Sequence, residues 1–268
     1  MSPDRAPVLA DSVTRLGPEI VGAVLVTGSH GGVYAAWLAR KSGARAAIFN
    51  DAGVGLDGAG IGGLAWLDAH AMAAAAIAAD SADIGDAQAM LARGRISHAN
   101  ARATALGLAP GMNCAQAARL LEGAAAPEGA VAPVAESRRV LEVEGAARRS
   151  VLIDSASLVA PEDSGQIVVT GSHGALFGGD PMNALKYDAA LALFNDAGGG
   201  VGVTRLPALQ GRGIAAATVA AMSARIGDAA STFEDGVISA ANEAAAAFGA
   251  RPGMRARDFV EAFARSRG

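Results

Sequence analysis

Thr27-Gly28-Ser29-His30-Gly31 closes an apolar run, Val21–Thr27, and recurs later as Thr170-Gly171-Ser172-His173-Gly174. The rest of the chain follows the same spacing. Phe49–Gly53 returns at Phe194–Gly198, Ile84–Ala87 at Ile226–Ala229, and Pro110–Met112 at Pro252–Met254. Asp11-Ser12 returns as Asp154-Ser155, and Pro18-Glu19 as Pro161-Glu162. Matches in one order at a near-constant offset read as a tandem duplication, with a period too long for a solenoid. The expected layout is a first α/β repeat over residues 1–122, a linker with a lead-in strand over 123–150, and a second repeat over 151–268. The linker reading rests on the Ala/Gly/Pro-rich stretch Gly123–Pro133, and the lead-in strand on Val140–Val143.

Within a repeat the pattern alternates strand and helix. Val21–Thr27 and Ala46–Phe49 are short apolar runs ended by turn residues, which reads as buried strand. Val33–Lys41 has helical spacing and stops at Ser42-Gly43. A further helix is expected over Leu64–His70. Ala71–Ala79 is ambiguous alone, but Ile214, Thr218 and Val219 in its second copy favour a strand. Helices are expected over Asp86–Arg93, Ser97–Leu106 and Ala115–Leu121. The order β-α-β-α-β-α predicts parallel sheets in two tandem-duplicated lobes related by a pseudo-two-fold.

Composition narrows the function. Apolar residues make up 51% and aromatics 4%, with 35 glycines, so the core is built from small aliphatic side chains. A net charge of -4 offers no basic field for nucleic acid. The most apolar stretch, Ala71–Ala79, is about half of what a membrane span needs. Met1–Arg5 carries no apolar run of a secretory leader. The single cysteine, Cys114, allows no internal disulfide and fits a reducing cytoplasm. Exposed sheet edges and an Ala-rich surface suggest a homo-oligomer.

Ligands of parallel sheets bind beyond the carboxyl ends of the strands, where the repeated polar motifs fall. Ser29 and Ser172 are candidate nucleophiles, His30 and His173 candidate bases, and Asp51 and Asp196 candidate orienting groups. Gly28, Gly31, Gly171 and Gly174 let turn amides approach an oxyanion, and Asn50 and Asn195 could donate to a carbonyl. Lys41 and Lys186, the two lysines among 22 basic residues, align with one another and suit a substrate carboxylate. Each has a structural alternative: a helix cap for Ser, a packed ring for His, an Asx turn for Asn-Asp, and a solvated helix end for Lys. Asp86 and Asp228 read as helix caps. Asp11 and Asp154 share that ambiguity. One Ser and one Lys per repeat resembles the logic of the multi-repeat cyclic-amide hydrolases, which have three repeats.

These residues imply hydrolysis of a small polar amide, lactam or ester. One alternative is a metal-dependent hydrolase or lyase in which His30, Asp51 and Asp86, or His173, Asp196 and Asp228, hold a divalent ion. The other is a two-lobed protein that binds a small molecule without turnover. Gly58-Ala-Gly60-Ile-Gly62-Gly63 fits a dinucleotide fingerprint formally, but the glycines do not directly follow the strand, so a close-packed loop or lid is expected.

Overall fold

A computed structural model describes residues 6–142 and 144–266. Met1–Arg5 and Val143 lie outside it, and with them the reading of the N-terminus and the last residue of the lead-in strand. The chain divides into two compact units. One is the chain up to Val54 with Gly58–Ala135, and the other is Gly55–Asp57 with the chain from Glu136 onward.

The first unit runs β1 (Val8–Ala10), β2 (Val24–His30), α1 (Val33–Lys41), β3 (Ala46–Asn50), α2 (Gly62–Ala69), β4 (Ala73–Ile77), α3 (Ala87–Arg93), β5 (Ile96–Ala99), α4 (Ala101–Ala105) and α5 (Cys114–Leu121). Its five strands lie in sequence order, β1-β2-β3-β4-β5. Both faces of the sheet are covered. Val24, Val26 and Ile48 pack with Met90, Ala117 and Leu121 on one side. Leu25, Ala47 and Phe49 pack with Ala36, Ala39 and Leu67 on the other. This alternation along β2 and β3 is the period-two pattern of a strand buried on both faces. β4 is almost pure alanine yet central and fully buried, because cover on both faces overrides alanine's weak strand preference.

The second unit runs β6 (Arg138–Leu141), β7 (Ser150–Ile153), β8 (Ile167–His173), β9 (Leu191–Asn195), α6 (Arg205–Gly211), β10 (Ala215–Val219), α7 (Ala229–Glu234), β11 (Ile238–Ala241), α8 (Glu243–Ala247) and α9 (Ala256–Arg265). Its sheet has six strands in the order β11-β10-β9-β8-β7-β6. A strand, β6, lies at Arg138–Leu141, beginning two residues before the stretch expected as a strand, and it pairs antiparallel with β7.

The expectation of wholly parallel sheets is corrected. β1 to β4, and β7 to β10, are parallel. β5 and β11 run antiparallel to β4 and β10. The helix expected over Ser97–Leu106 is thus a strand followed by a short helix. Asn100 divides them: extended itself, it caps α4 by accepting the Ala103 N–H. The helix expected after the second Gly-Ser-His turn is also absent. Gly178 and Gly179 adopt positive φ there, Pro181 follows, and only a short 3₁₀ turn, Pro181–Ala184, forms. Part of the linker is fastened to the first unit. The buried Arg40 donates to Glu128 O and Gly129 O, and Arg45 to Glu122 O and Ala124 O.

Candidate functional site

β2 ends in a kink that decides the local geometry. Its pairing with β3 shifts after Val26 and resumes at His30, opposite Asn50. Gly28 sits in this shift because a Cβ there would lie 2.7 Å from Asp11 O and from Gly85 Cα. The turn at Gly85 docks on Gly28 and donates its N–H to Gly28 O at 2.8 Å. Asp11 Oδ1 accepts the Ala87 N–H and Ser29 Oγ the Val13 N–H at 2.9 Å. Asn50 donates to Ala82 O and accepts from Ala52 N–H. Asp51 Oδ1 accepts the N–H groups of Gly53 and Ala79. Asp86 caps α3 through the Ala89 N–H.

The second unit makes the same bonds. Gly227 N–H reaches Gly171 O at 2.7 Å, and a Cβ on Gly171 would strike the Asp228 backbone. Ser172 Oγ accepts the Ala156 N–H at 2.9 Å and Asp154 Oδ1 the Ala229 N–H. Asn195 bonds Ala224 O and Ala197 N–H, Asp196 Oδ1 the Ala221 N–H, and Asp228 caps α7. The repeated polar residues therefore tie the strand-end loops together. That holds most completely for Asn50 and Asn195, which are fully buried.

His30 departs from this pattern. The Gly32 N–H donates to its Nδ1 at 3.1 Å. An acceptor nitrogen in neutral imidazole carries no proton, so the proton sits on Nε2 and that edge is a donor. Burial lowers the pKa to about 4, which keeps the ring neutral. A base would need the opposite arrangement, with a lone pair on the free edge. The ring lies against Gly32, where a Cβ would come 2.7 Å from both Cε1 and Nδ1. The second unit has Ala175 at this position. Gly32 is also the N-cap of α1 and makes no side-chain capping bond there, beside the imidazole.

Other expected contributors are placed elsewhere. The Gly31 and Gly174 amides, expected to face an oxyanion, are bonded to Asn50 O and Asn195 O. Lys41 ends α1, about 12 Å along the helix from its start. It is exposed, with its ammonium 4.7 Å from the Trp37 ring centroid. Lys186 is exposed beside Tyr187 and follows a 3₁₀ turn instead of the expected helix. Among the described residues no group of three or more His, Cys, Asp or Glu side chains could hold a metal ion. Cys114 begins α5, fully buried, and burial pushes its thiol up to about 12, so it is no nucleophile at neutral pH.

Four residues escaped the sequence reading. Gly32 was legible in the contrast between Gly31-Gly32 and Gly174-Ala175. Asn100 and Asn242 recur at the same offset as the other matches. Arg205 stands where the first repeat has Gly63. Comparison with protein-family models, with curated proteins and with solved structures returned no match. No helix among the described residues is long and apolar enough to cross a membrane.

Proposed function

We propose that the first unit binds a small polar amide, lactam or ester through its carbonyl oxygen, at the end of β2, and that the reaction is hydrolysis. The observation that carries this reading is the Gly32 N–H to His30 Nδ1 bond, which makes the imidazole a neutral donor. A neutral imidazole N–H polarises a carbonyl without the cost of keeping a buried cation. The uncapped amides at the start of α1 supply further donors for developing negative charge. Ser29 is the proposed attacking hydroxyl: the Val13 N–H on its Oγ stabilises the oxygen as its proton passes to solvent water, the new Oγ–carbonyl bond expels the amine or alcohol, which takes up a proton from water, and a second water cleaves the acyl-serine. In the second unit Ser172 receives the same amide bond, but neither the Gly32 equivalent nor the helix is present. We assign that unit to binding.

A second reading, binding without turnover, is favoured by one observation. Asp51 Oδ1 and His30 Nδ1 are both engaged with backbone amides, so neither of these atoms stands ready to take the serine proton. One experiment separates the two. A panel of small amides, lactams and esters is screened by thermal shift and then for turnover, with wild type, Ser29→Ala, Ser172→Ala and His30→Gln. Hydrolysis predicts turnover lost in Ser29→Ala and kept in Ser172→Ala. A melting shift without turnover in any variant leaves binding alone.

The repeated motifs, with the same hydrogen bonds at corresponding positions, support our reading of the units as copies of one ancestor. A cytoplasmic location and self-association remain part of the proposal. The first rests on the single buried cysteine and the second on unpaired edge strands such as β1.

A further inference from the structure

Arg205, at the start of α6, is 4% exposed. Its Nε donates to Ala175 O at 3.1 Å and its Nη1 to Ala184 O at 2.8 Å. The guanidinium lies 4.9 Å from the Phe194 ring centroid and 5.8 Å from that of Phe177. No carboxylate pairs with it among the described residues. The acidic residues of the neighbouring segment are engaged elsewhere: Asp180 accepts the Met182 N–H and Asp188 pairs with Arg212. Two neutral carbonyls and two ring faces orient a guanidinium but do not neutralise it. A buried charge is ordinarily matched by an opposite one. The first repeat shows why the space exists. The matching residue is Gly63, where a Cβ would lie 2.6 Å from Ala36 Cβ of α1. The second unit lacks that helix, and the irregular segment 174–190 covers the guanidinium instead.

We infer that Arg205 is an anion-recognising residue, which takes the carboxylate or phosphate group of a small molecule entering beneath the exposed turn Gly178–Met182. The two bonds made use Nε and Nη1, and Nη2 is not among the sealed, unpartnered nitrogens of the interior. It is therefore the edge that meets the ligand. An arginine fork suits both planar carboxylate and tetrahedral phosphate. Burial lowers its pKa to about 10, the direction expected of a cation short of a counter-ion, and a bound anion would reverse it. This site is independent of the one proposed at His30.

The test titrates the whole chain with inorganic phosphate and with acetate, against sodium chloride at matched ionic strength. Calorimetric melting and the Arg205 Nε–H resonance are followed together. Binding raises the melting temperature by about 5 °C at roughly ten times Kd and moves the Arg205 resonance. A response to phosphate alone assigns a phosphate ligand, and one to acetate alone a carboxylate. Arg205→Lys, which keeps the charge, should weaken binding about tenfold, and Arg205→Met should abolish it. If Arg205→Met does not fold, the lysine variant and the wild-type resonance decide. No effect of either probe beyond chloride overturns the inference, as does binding unchanged in Arg205→Lys.

Discussion

Replacing Gly32 with alanine should release His30. The new Cβ would stand 2.7 Å from Cε1 and Nδ1, too close for any real contact, and a side-chain ring yields more easily than backbone. The ring must swing away, which breaks the amide bond to Nδ1 and exposes the already partly exposed imidazole further to water. The wild-type ring binds a proton at about 4 instead of 6.5 because burial disfavours its charged form. The unfolded chain therefore takes up a proton as pH falls through 6.5, while the folded one waits until about 4. His30 costs no stability above 6.5, and its cost grows as pH falls through this window. At 1.36 kcal/mol per unit the limit is about 3 kcal/mol, less where water still reaches the ring. Both tryptophans, Trp37 and Trp66, lie in the first unit, so urea unfolding followed by their emission reports the unit that holds His30. Wild type should lose more stability than His30→Gln between pH 6.5 and 4, since the carboxylates common to both cancel in the difference. In Gly32→Ala the excess should shrink, and the imidazole should titrate closer to 6.5 by NMR. A wild-type imidazole titrating near 6.5, or an acid dependence identical in wild type and His30→Gln, would refute the donor assignment.

Three further outcomes follow from the contacts. Gly28→Ala and Gly171→Ala should each destabilise by about 3 kcal/mol, because backbone on both sides has nowhere to move; denaturant midpoints with unchanged slope would check this. Asp163→Asn should cost about 3 kcal/mol by calorimetry, since Arg138 meets a 1% exposed carboxylate through two bonds. Burial pushes the Asp163 carboxyl up, but bonds from Arg138 and the Ala160 amide outweigh it and hold the group below 3.8, so its stabilisation is full above 3.8 and fades as pH falls through the lowered folded value. Ala175→Gly, by placing the first unit's glycine at this position, should let His173 adopt the folded-back ring, seen as a change in its NMR titration. An unchanged His173 titration would show that glycine is not the deciding residue.

How much was legible follows from what each residue's neighbours are. The strand runs Val24–His30 and Ala46–Asn50 were readable because apolar runs and turn residues sit next to each other in sequence. β5 was not, because Ile96–Ala99 is a strand only by virtue of lying against β4, a contact between segments that leaves no local periodic trace. The motifs recur in the sequence, but recurrence alone cannot separate a group that faces a ligand from one that ties two loops. Ser29, Asn50 and Asp51 recur in the second unit with the same backbone partners, so fastening loops is enough to account for their duplication. His30 recurs as well, yet the amide bond to its Nδ1 does not, and Ala175 stands where the first unit has Gly32. The most informative positions for function are thus those where the two units differ: Gly32 against Ala175, and Gly63 against Arg205. At the first, loss of a Cβ makes room for a neutral donor. At the second, gain of a long cation fills the space of a missing helix. Each change is one residue in the sequence, and each acquires a chemical meaning only when the side chain across from it is known.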